Sequence, residues 1–280
     1  MRSPSEHYTV GSGAIRTDPA FELKARRAIL AHLDRGRSAI GASKIHLVSY
    51  PRSGSTLVRQ YFAILQGRPQ YSVYDGDVAG RRTWPLTRAL DHADIVKSHQ
   101  MPADSGSMIY LVRDGRNAAL SFLYMAFLFG GHKFSRLNEV YDGIRHLDKT
   151  EGCWADHIAQ ALRQSERRPV LFVKYENVVR DPQTAIAEMA RFMEADLSAA
   201  LIDSCVSRAK SLDAYGKNPY NGFLYQPEES SIYDLLQRHR DEDYWRYIFD
   251  DNSKRYFHDT GGTEFLLRFG YERSADWWRN

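Results

Sequence analysis

The sequence predicts an α/β fold in which helices flank a central, mostly parallel sheet in three layers. Two observations support this prediction: short, nearly continuous apolar segments alternate with segments of helical periodicity, and polar residues follow each apolar segment directly. Strands that are covered on both faces have this continuous apolar character. An alternation of strands with helices favours parallel pairing.

The predicted strands and helices follow one another along most of the chain. Apolar, β-forming residues predict strands at residues 45–48, 94–98, 107–112 and 169–174. Helical spacing and capping signals, such as Gly67 after one helix and Asp181-Pro182 before another, predict the helices. These helices span residues 19–35, 57–66, 83–92, 118–128, 152–164, 182–193 and 197–210, with a further helix ending at 257 and an amphipathic segment ending at 271.

Composition limits the classes of function. The chain has 280 residues, of which 43% are hydrophobic and 26% charged, so it can bury a full-sized core. Its formal net charge is only +3, which excludes a general electrostatic field for nucleic acid or an anionic membrane. Cys153 and Cys205 lie far apart without the spacing of a metal site, so neither a disulfide framework nor a zinc site is indicated.

The sequence shows no membrane segment. The N-terminal stretch Met1–Arg16 is polar, and the longest apolar run, Ala118–Phe129, is too short to span a bilayer. We therefore expect a soluble, cytoplasmic protein with no nucleic-acid partner and no membrane span.

The strand-to-helix turn within Ile45–Leu57 is predicted to bind an anion. Gly54 marks a tight turn, and Ser55 or Thr56 is expected to cap the helix that follows. Consecutive backbone N–H groups and the positive end of the helix dipole form a cradle for phosphate or sulfate, with Arg52 beside it. On this motif alone, a turn that binds nothing is the alternative.

Two further strands end on polar residues. Lys97 and His99 stand at the C-terminal end of the second strand, where open α/β sheets place ligands. Arg113 follows the third strand, and Ser121 lies in the second turn of the next helix if that helix starts near Gly115, so the two side chains can converge on one anion. The alternatives are a histidine with a purely structural hydrogen bond and an Arg113 that pairs with Asp114.

Other polar residues are interpreted by position. Tyr175 and Glu176 stand at the end of the fourth strand, and His157 is interpreted as structural rather than catalytic. The glycine-containing stretch at residues 130–136 is predicted to be a loop, and whether it acts as a lid stays open.

Taken in order, these segments resemble sulfotransferases that use 3′-phosphoadenosine 5′-phosphosulfate (PAPS). Tyr50–Thr56, with sequence YPRSGST, is similar to the YPKSGTT loop that holds the 5′-phosphosulfate in that family, and Tyr110–Ser121 looks like its 3′-phosphate segment. Lys97–Pro102, with sequence KSHQMP, resembles KTHLP, whose histidine is the catalytic base. Tyr175-Glu176 matches the start of the family's Tyr-Glu-Asp, and the likeness extends over Lys44–Tyr271.

The resemblance implies a reaction and a set of residues. A sulfonyl group would move in line from PAPS, as co-substrate, to a hydroxyl or amine of a small-molecule acceptor, leaving 3′-phosphoadenosine 5′-phosphate (PAP) without the help of a metal. His99 would be the general base, with Arg52, Lys97 and Ser121 as further catalytic residues. The residues implied in nucleotide binding are Arg52, Ser53, Gly54, Ser55, Thr56, Leu57, Arg113, Ser121, Tyr175, Ser211, Arg238, His239 and Arg240.

The resemblance also implies the P-loop-like form of the fold and a division of the chain. Ser211–Pro219 looks like a family segment that touches adenine, and Arg238–Arg240 falls where the family has Arg-Lys-Gly. A homodimer is compatible with the resemblance. The implied parts are an N-terminal arm and helix at residues 1–43, a sulfotransferase-like domain at 44–272 and a tail at 273–280.

The chain departs from the family pattern at two positions. Arg52 replaces the lysine of the loop and can hold sulfonate oxygens but cannot donate a proton, and Leu57 replaces a tryptophan over the adenine. A catalytically inactive PAP-binding protein therefore stays open as an alternative. A second alternative is a small-molecule kinase with a P-loop, which would need glycine at Ser49 and lysine at Ser55. Acceptor contacts are expected from residues 71–84, 122–134 and 218–233.

Overall fold

A parallel β-sheet forms the centre of the described part of the chain. The computed structural model describes residues 43–67, 70, 72–73, 93–130, 139–214 and 244–279. Within these ranges the sheet consists of β1 (Ser43–Ser49), β2 (Ala93–Ser98), β3 (Ser107–Val112) and β4 (Val170–Lys174). The strands lie in the order β2-β1-β3-β4, and all three pairings are parallel, which confirms the predicted sheet.

Helices connect these strands and continue beyond them. After β1 comes α1 (Ser55–Gln66), and between β3 and β4 lie α2 (Gly115–Gly130), α3 (Glu139–Glu151) and α4 (Trp154–Ser165). The helices after β4 are α5 (Tyr175–Arg180), α6 (Pro182–Phe192), α7 (Ala199–Ala214), α8 (Asp251–Asp259) and α9 (Gly262–Arg268). Short 3-10 turns occur at Tyr244–Tyr247 and Trp277–Arg279.

The strands bury side chains in two hydrophobic cores, one on each face of the sheet. On β3, Met108, Tyr110 and Val112 belong to the first core, whereas Ile109 and Leu111 belong to the second. The first core also contains residues of α2, α3, α4, α8 and α9, and the second contains residues of α1, α5, α6 and α7. Because both faces of the sheet are covered by helices, the three-layer prediction is confirmed.

Several helix boundaries differ from the predictions. The helices α3 and α5 were not predicted, although Val140, Ile144 and Leu147 of α3 are buried at helical spacing. Glycine at position 143, together with Asp142, Asp148 and the β-branched residues Val140 and Thr150, makes the sequence of α3 a weak helix former. Similarly, α2 begins at Gly115 rather than residue 118, and α7 continues to Ala214 through residues that were predicted to form a loop.

Some predictions fall outside the described residues. These are the helices at residues 19–35 and 83–92 and residues 131–136 of the loop predicted at 130–136, whose first residue, Gly130, instead ends α2. The division into an arm, a domain at 44–272 and a tail stays a prediction. Across the ranges that the structure describes, the helices are all too short or too polar to cross a bilayer.

Candidate active site

The turn between β1 and α1 presents a helix N-terminus without a side-chain cap. Gly54 is the N-cap residue, with φ of 93°, and the expectation that Ser55 or Thr56 would cap the helix is wrong because both already belong to its first turn. The first N–H groups of a helix lack partners within the helix, which makes such an end suitable for an anion. Glycine is required at position 54, since a Cβ would lie 2.1 Å from Cδ2 of Tyr175.

Two arginines and a serine from distant parts of the sequence meet beside this turn. Arg52 Nε donates to Ser121 Oγ at 3.2 Å, and Arg113 Nη1 donates to the backbone oxygen of Arg52 at 2.8 Å. The guanidinium of Arg113 also lies 4.6 Å from the centre of the Tyr175 ring. Arg52 itself has φ of 67°, a conformation uncommon for a residue with a side chain. The predicted neighbours Arg113 and Ser121 are thus bridged by Arg52.

His99 follows the C-terminal end of β2, and its ring is held against β1. Its Nδ1 lies 2.8 Å from the backbone oxygen of Ser49 and 3.4 Å from the Oγ of the same residue. Because a carbonyl oxygen only accepts, Nδ1 carries the proton in this contact, and in a neutral ring Nε2 is then the nitrogen that accepts a proton. Since Ser49 ends β1, the ring of His99 stands at the entrance to the turn.

Lys97 lies on β2 two residues before His99. Lys97 belongs to the strand, whereas His99 lies one residue beyond its C-terminal end. The Lys97 residue is only 6% exposed, and its backbone oxygen accepts the N–H of Val73 at 3.0 Å. Lys97 therefore brings a buried cation to the strand end from which His99 emerges.

Tyr175 and Glu176 begin α5 and link the turns that follow β1 and β3. Tyr175 packs against both Gly54 and Arg113. Glu176 is buried and accepts the backbone N–H of Asp114 at 3.2 Å and the hydroxyl of Tyr271 at 2.7 Å. Burial raises the pKa of Glu176 above its ordinary value, although both hydrogen bonds act in the opposite direction.

Arg116 supports the turn after β3, and the sequence interpretation missed it. Its side chain is fully buried, donates to both carboxylate oxygens of Asp114 at 2.9 and 2.6 Å, and donates to Glu272 at 2.5 Å. The guanidinium lies 3.7 Å from the Trp245 ring centre and 4.6 Å from that of Trp277. Burial disfavours the charge, but the two carboxylates outweigh it and raise the pKa of Arg116. Asp114, the alternative partner considered for Arg113, thus pairs with Arg116.

The remaining predicted residues are distributed unevenly. Ser53 is 1% exposed, and its Oγ has no hydrogen-bond partner among the described residues. Leu57 packs partly against the core that contains α1. Ser211 lies on α7, but its side chain is outside the described part of the structure. The residues Arg238, His239 and Arg240 lie outside the described ranges altogether. Within the described ranges, no cluster of three or more His, Cys, Asp and Glu side chains could hold a metal ion.

Comparison with known sequences identifies relatives over most of the chain. A model of the Sulfotransferase domain family matches residues 42–264. The chain is 26% identical to Sulfotransferase 1E1 of Mus musculus over 213 residues, which cover 65% of this chain and 69% of that protein. It is 22% identical to Sulfotransferase 1B1 of Canis lupus familiaris over 254 residues, covering 82% and 83% of the two chains.

Comparison with solved structures finds the same fold. Mouse sulfotransferase SULT7A1, crystallised in complex with PAP, gives a TM-score of 0.53 at 17% identity, covering 81% of this chain and 85% of that chain. Retinol dehydratase, in complex with androsterone and inactive cofactor PAP, also gives a TM-score of 0.53 at 17% identity, with coverage of 78% and 79%. At these identities the likeness shows the fold alone.

Proposed function

Because the chain belongs to the sulfotransferase domain family, we propose that it transfers a sulfonyl group from PAPS to a hydroxyl or amine of a small-molecule acceptor. The observation that carries this proposal is the convergence of Arg52, Arg113 and Ser121 beside the uncapped N-terminus of α1. Two proteins of the same fold are described as complexes with PAP, which supports the same nucleotide class here.

The turn suits the 5′ end of such a nucleotide. An anion can approach the first N–H groups of α1 because no side chain caps the helix, and the absence of a Cβ at Gly54 leaves room for the Tyr175 ring that packs against the turn. The buried hydroxyl of Ser53 offers a further donor. When bound, PAPS supplies an activated sulfonyl group and a phosphate leaving group. The amides of residues 54–56 and Arg52 would stabilise the charge on the sulfonyl and phosphate oxygens.

The second cationic position suits the 3′-phosphate. Arg113 follows β3 and Ser121 lies on α2, and Arg52 already joins the two. The stacking of Arg113 on Tyr175 and the ion pairs of Arg116 hold this turn rigid before a ligand arrives. A preorganised cationic site loses less free energy on binding than one that must form. We assign Arg238 to the same phosphate on the strength of the resemblance alone.

His99 is assigned the role of general base. Its Nε2 would accept the proton of the acceptor group, while its Nδ1–H keeps the hydrogen bond to the Ser49 oxygen and stabilises the imidazolium that forms. A positioned base contributes about 100- to 10,000-fold to the rate. Lys97 would add positive charge near the transferring group. Arg52 holds sulfonate oxygens but supplies no proton, because a guanidinium does not deprotonate at neutral pH.

Calorimetry and a labelled-donor assay test this proposal. We expect PAP to bind, and ³⁵S from PAPS to appear on an acceptor drawn from a panel of phenols, alcohols and amines, with the same rate in the presence of EDTA. Binding of PAP without transfer to any acceptor would indicate an inactive nucleotide-binding protein. Magnesium-dependent transfer of phosphate from ATP would indicate a kinase, and failure to bind PAP would contradict the proposal outright.

A further inference from the structure

His157 is a buried residue of α4 that forms hydrogen bonds through both ring nitrogens. Its Nε2 lies 2.7 Å from the backbone oxygen of His99, and its Nδ1 lies 2.7 Å from the hydroxyl of Tyr110 on β3. The carbonyl can only accept, so Nε2 carries the proton. Nδ1 of the neutral ring then accepts from the Tyr110 hydroxyl. The two hydrogen bonds form a chain in which Tyr110 donates to His157 and His157 donates to the carbonyl of His99.

The surroundings of His157 favour this single arrangement. The ring of Tyr50 meets the His157 ring edge-on at 5.7 Å between centroids, and the Tyr110 ring lies 5.6 Å away. Burial lowers the pKa of His157, with the bond to the His99 oxygen acting in the opposite direction, so the neutral ring is favoured. Burial also raises the pKa of Tyr110 well above its ordinary value, which keeps its hydroxyl protonated as a donor.

We propose that His157 is the positioning residue for His99. It holds the backbone carbonyl of His99, and through its packing on Tyr50 it also contacts the residue that opens the anion-binding turn. The ring of His99 is thereby held from two sides, at Nδ1 by Ser49 and at its own carbonyl by His157. This inference rests on the proposed function, in which His99 is the base.

The need for such a residue follows from the position of His99. It stands just past the end of β2, and the residues after it are an irregular segment up to β3. Its own backbone carbonyl is therefore held by a side chain rather than by the sheet. A displacement of about 1 Å in a reacting group can cost on the order of 100-fold in rate, so the direction of this carbonyl matters for turnover.

Two amide substitutions separate positioning from packing. The Nε2 of glutamine can reach the place of the imidazole Nε2, whereas asparagine ends at the place of Nδ1 and cannot reach the His99 oxygen. We expect His157→Asn to lower kcat about tenfold and His157→Gln to stay within about threefold of the wild type, with the Kd for PAP unchanged in both. Equal kcat values for His157→Asn and the wild type would overturn the proposal, as would equal losses in both variants.

A second variant covers the case in which His157→Asn does not fold. Tyr110→Phe keeps the ring in the core but removes the hydroxyl that donates to Nδ1 and accepts from the Tyr50 backbone, so His157 loses one of its two hydrogen bonds. We expect kcat to fall about threefold with an unchanged Kd for PAP. A kcat equal to that of the wild type would contradict the claim that the hydrogen bond from Tyr110 to His157 helps to position His99.

A measurement without turnover distinguishes failure of this inference from failure of the proposed function. In ¹⁵N NMR spectra of the wild type, we expect the His99 ring to show one tautomer with the proton on Nδ1. In His157→Asn, or in Tyr110→Phe if the asparagine variant does not fold, we expect averaged tautomers. An unchanged His99 tautomer in the variant that is measured overturns the positioning role. If the wild type transfers no label but its His99 tautomer still differs from that of the variant in this way, only the proposed reaction is contradicted.

Discussion

The sheet holds its basic residues differently at the edge where the strands begin and at the edge where they end. At the edge where β1 begins, Lys44 and His46 both contact the carboxylate of Asp104, which also accepts the N–H of Gly106 at 3.1 Å. At the edge where β1 ends, Arg52 Nε donates to the hydroxyl of Ser121, and Arg113 Nη1 donates to the backbone oxygen of Arg52.

Under the proposed function, this difference separates a structural edge from a binding edge. Asp104 pairs with Lys44, accepts a hydrogen bond from His46 and ties the segment before β3 to β1, which stabilises the fold without offering a site for an anion. The guanidinium groups of Arg52 and Arg113 lie beside the N-terminus of α1, whose positive end adds to their field. We therefore expect substitutions at the edge where β1 ends to lower turnover or nucleotide affinity, and substitutions at the edge where β1 begins to lower stability.

The largest effect is expected for His99→Ala. Loss of the base should lower kcat by roughly 100-fold or more, while the Kd for PAP stays within about twofold, because the imidazole acts on the acceptor rather than on the nucleotide. Initial rates with labelled PAPS and calorimetry with PAP measure the two quantities.

His46→Gln provides the control from the opposite edge for His99→Ala. His46 is also a buried histidine, and its Nε2 contacts Asp104 at 2.5 Å. We expect this variant to lose stability but to keep kcat per folded molecule. Retained turnover in His99→Ala would remove that residue from the role of base.

The next largest effect is expected for Arg113→Ala. The Kd for PAP should rise about 30-fold, as a charge-assisted hydrogen bond to phosphate is worth about 1.5–3 kcal/mol, whereas the Kd for adenosine 5′-phosphate should change less than about threefold. Arg168→Ala is the matched control, because Arg168 also donates to backbone oxygens, those of Gly106 and Pro102, each at 3.0 Å. Equal losses for the two nucleotides would contradict the assignment of Arg113 to the 3′-phosphate.

A smaller effect is expected when two glycines in the same backbone conformation are each replaced by alanine and the losses in the free energy of unfolding are compared. Gly54 has φ of +93° and Gly152 has φ of +83°, but a Cβ at Gly54 would collide with Tyr175, whereas one at Gly152 would meet nothing within 4 Å. Alanine at Gly152 should lower the free energy of unfolding by about 1 kcal/mol, the cost of the left-handed backbone, and alanine at Gly54 by about 1–2 kcal/mol more. Urea unfolding of both variants measures the difference, and equal losses would show that Tyr175 yields to the methyl group.

The smallest effect is expected from Asp104→Asn, and it depends on pH. Hydrogen bonding to Lys44, followed by that to His46, lowers the pKa of Asp104 below its ordinary value despite partial burial. The unfolded chain then takes up a proton first as the pH falls, so this contribution to stability is complete above about pH 4 and is lost below it.

The Asp104 side chain is 46% exposed, so we expect the substitution to cost about 1 kcal/mol or less at pH 7. The difference from the wild type should shrink as the pH falls below about 4, in urea unfolding followed from pH 7 to 2.5. A difference that is constant over this range would show that Asp104 acts through packing rather than charge. The Kd for PAP at pH 7 should not change, because this carboxylate lies at the structural edge.

The amino-acid sequence by itself determined the class of fold and the edge of the sheet at which chemistry is expected. Continuous apolar runs and helical periodicity are local signals, so the four strands and most helices were predicted within a few residues. Since parallel strands share one C-terminal edge, Lys97, His99 and Arg113 could be assigned to a common region. Glycine at position 54 marked the turn, but its role as the N-cap was missed.

Only the tertiary structure decided which side chains meet. Arg52 reaches Ser121 across 69 residues, His157 reaches the His99 carbonyl across 58, and Arg116 reaches Glu272 across 156. No local pattern encodes such contacts, because they depend on how helices pack on the sheet and on a positive φ at Arg52 that its residue type disfavours. The buried histidine looked structural in the sequence; in the folded chain its hydrogen bond connects it to the candidate base.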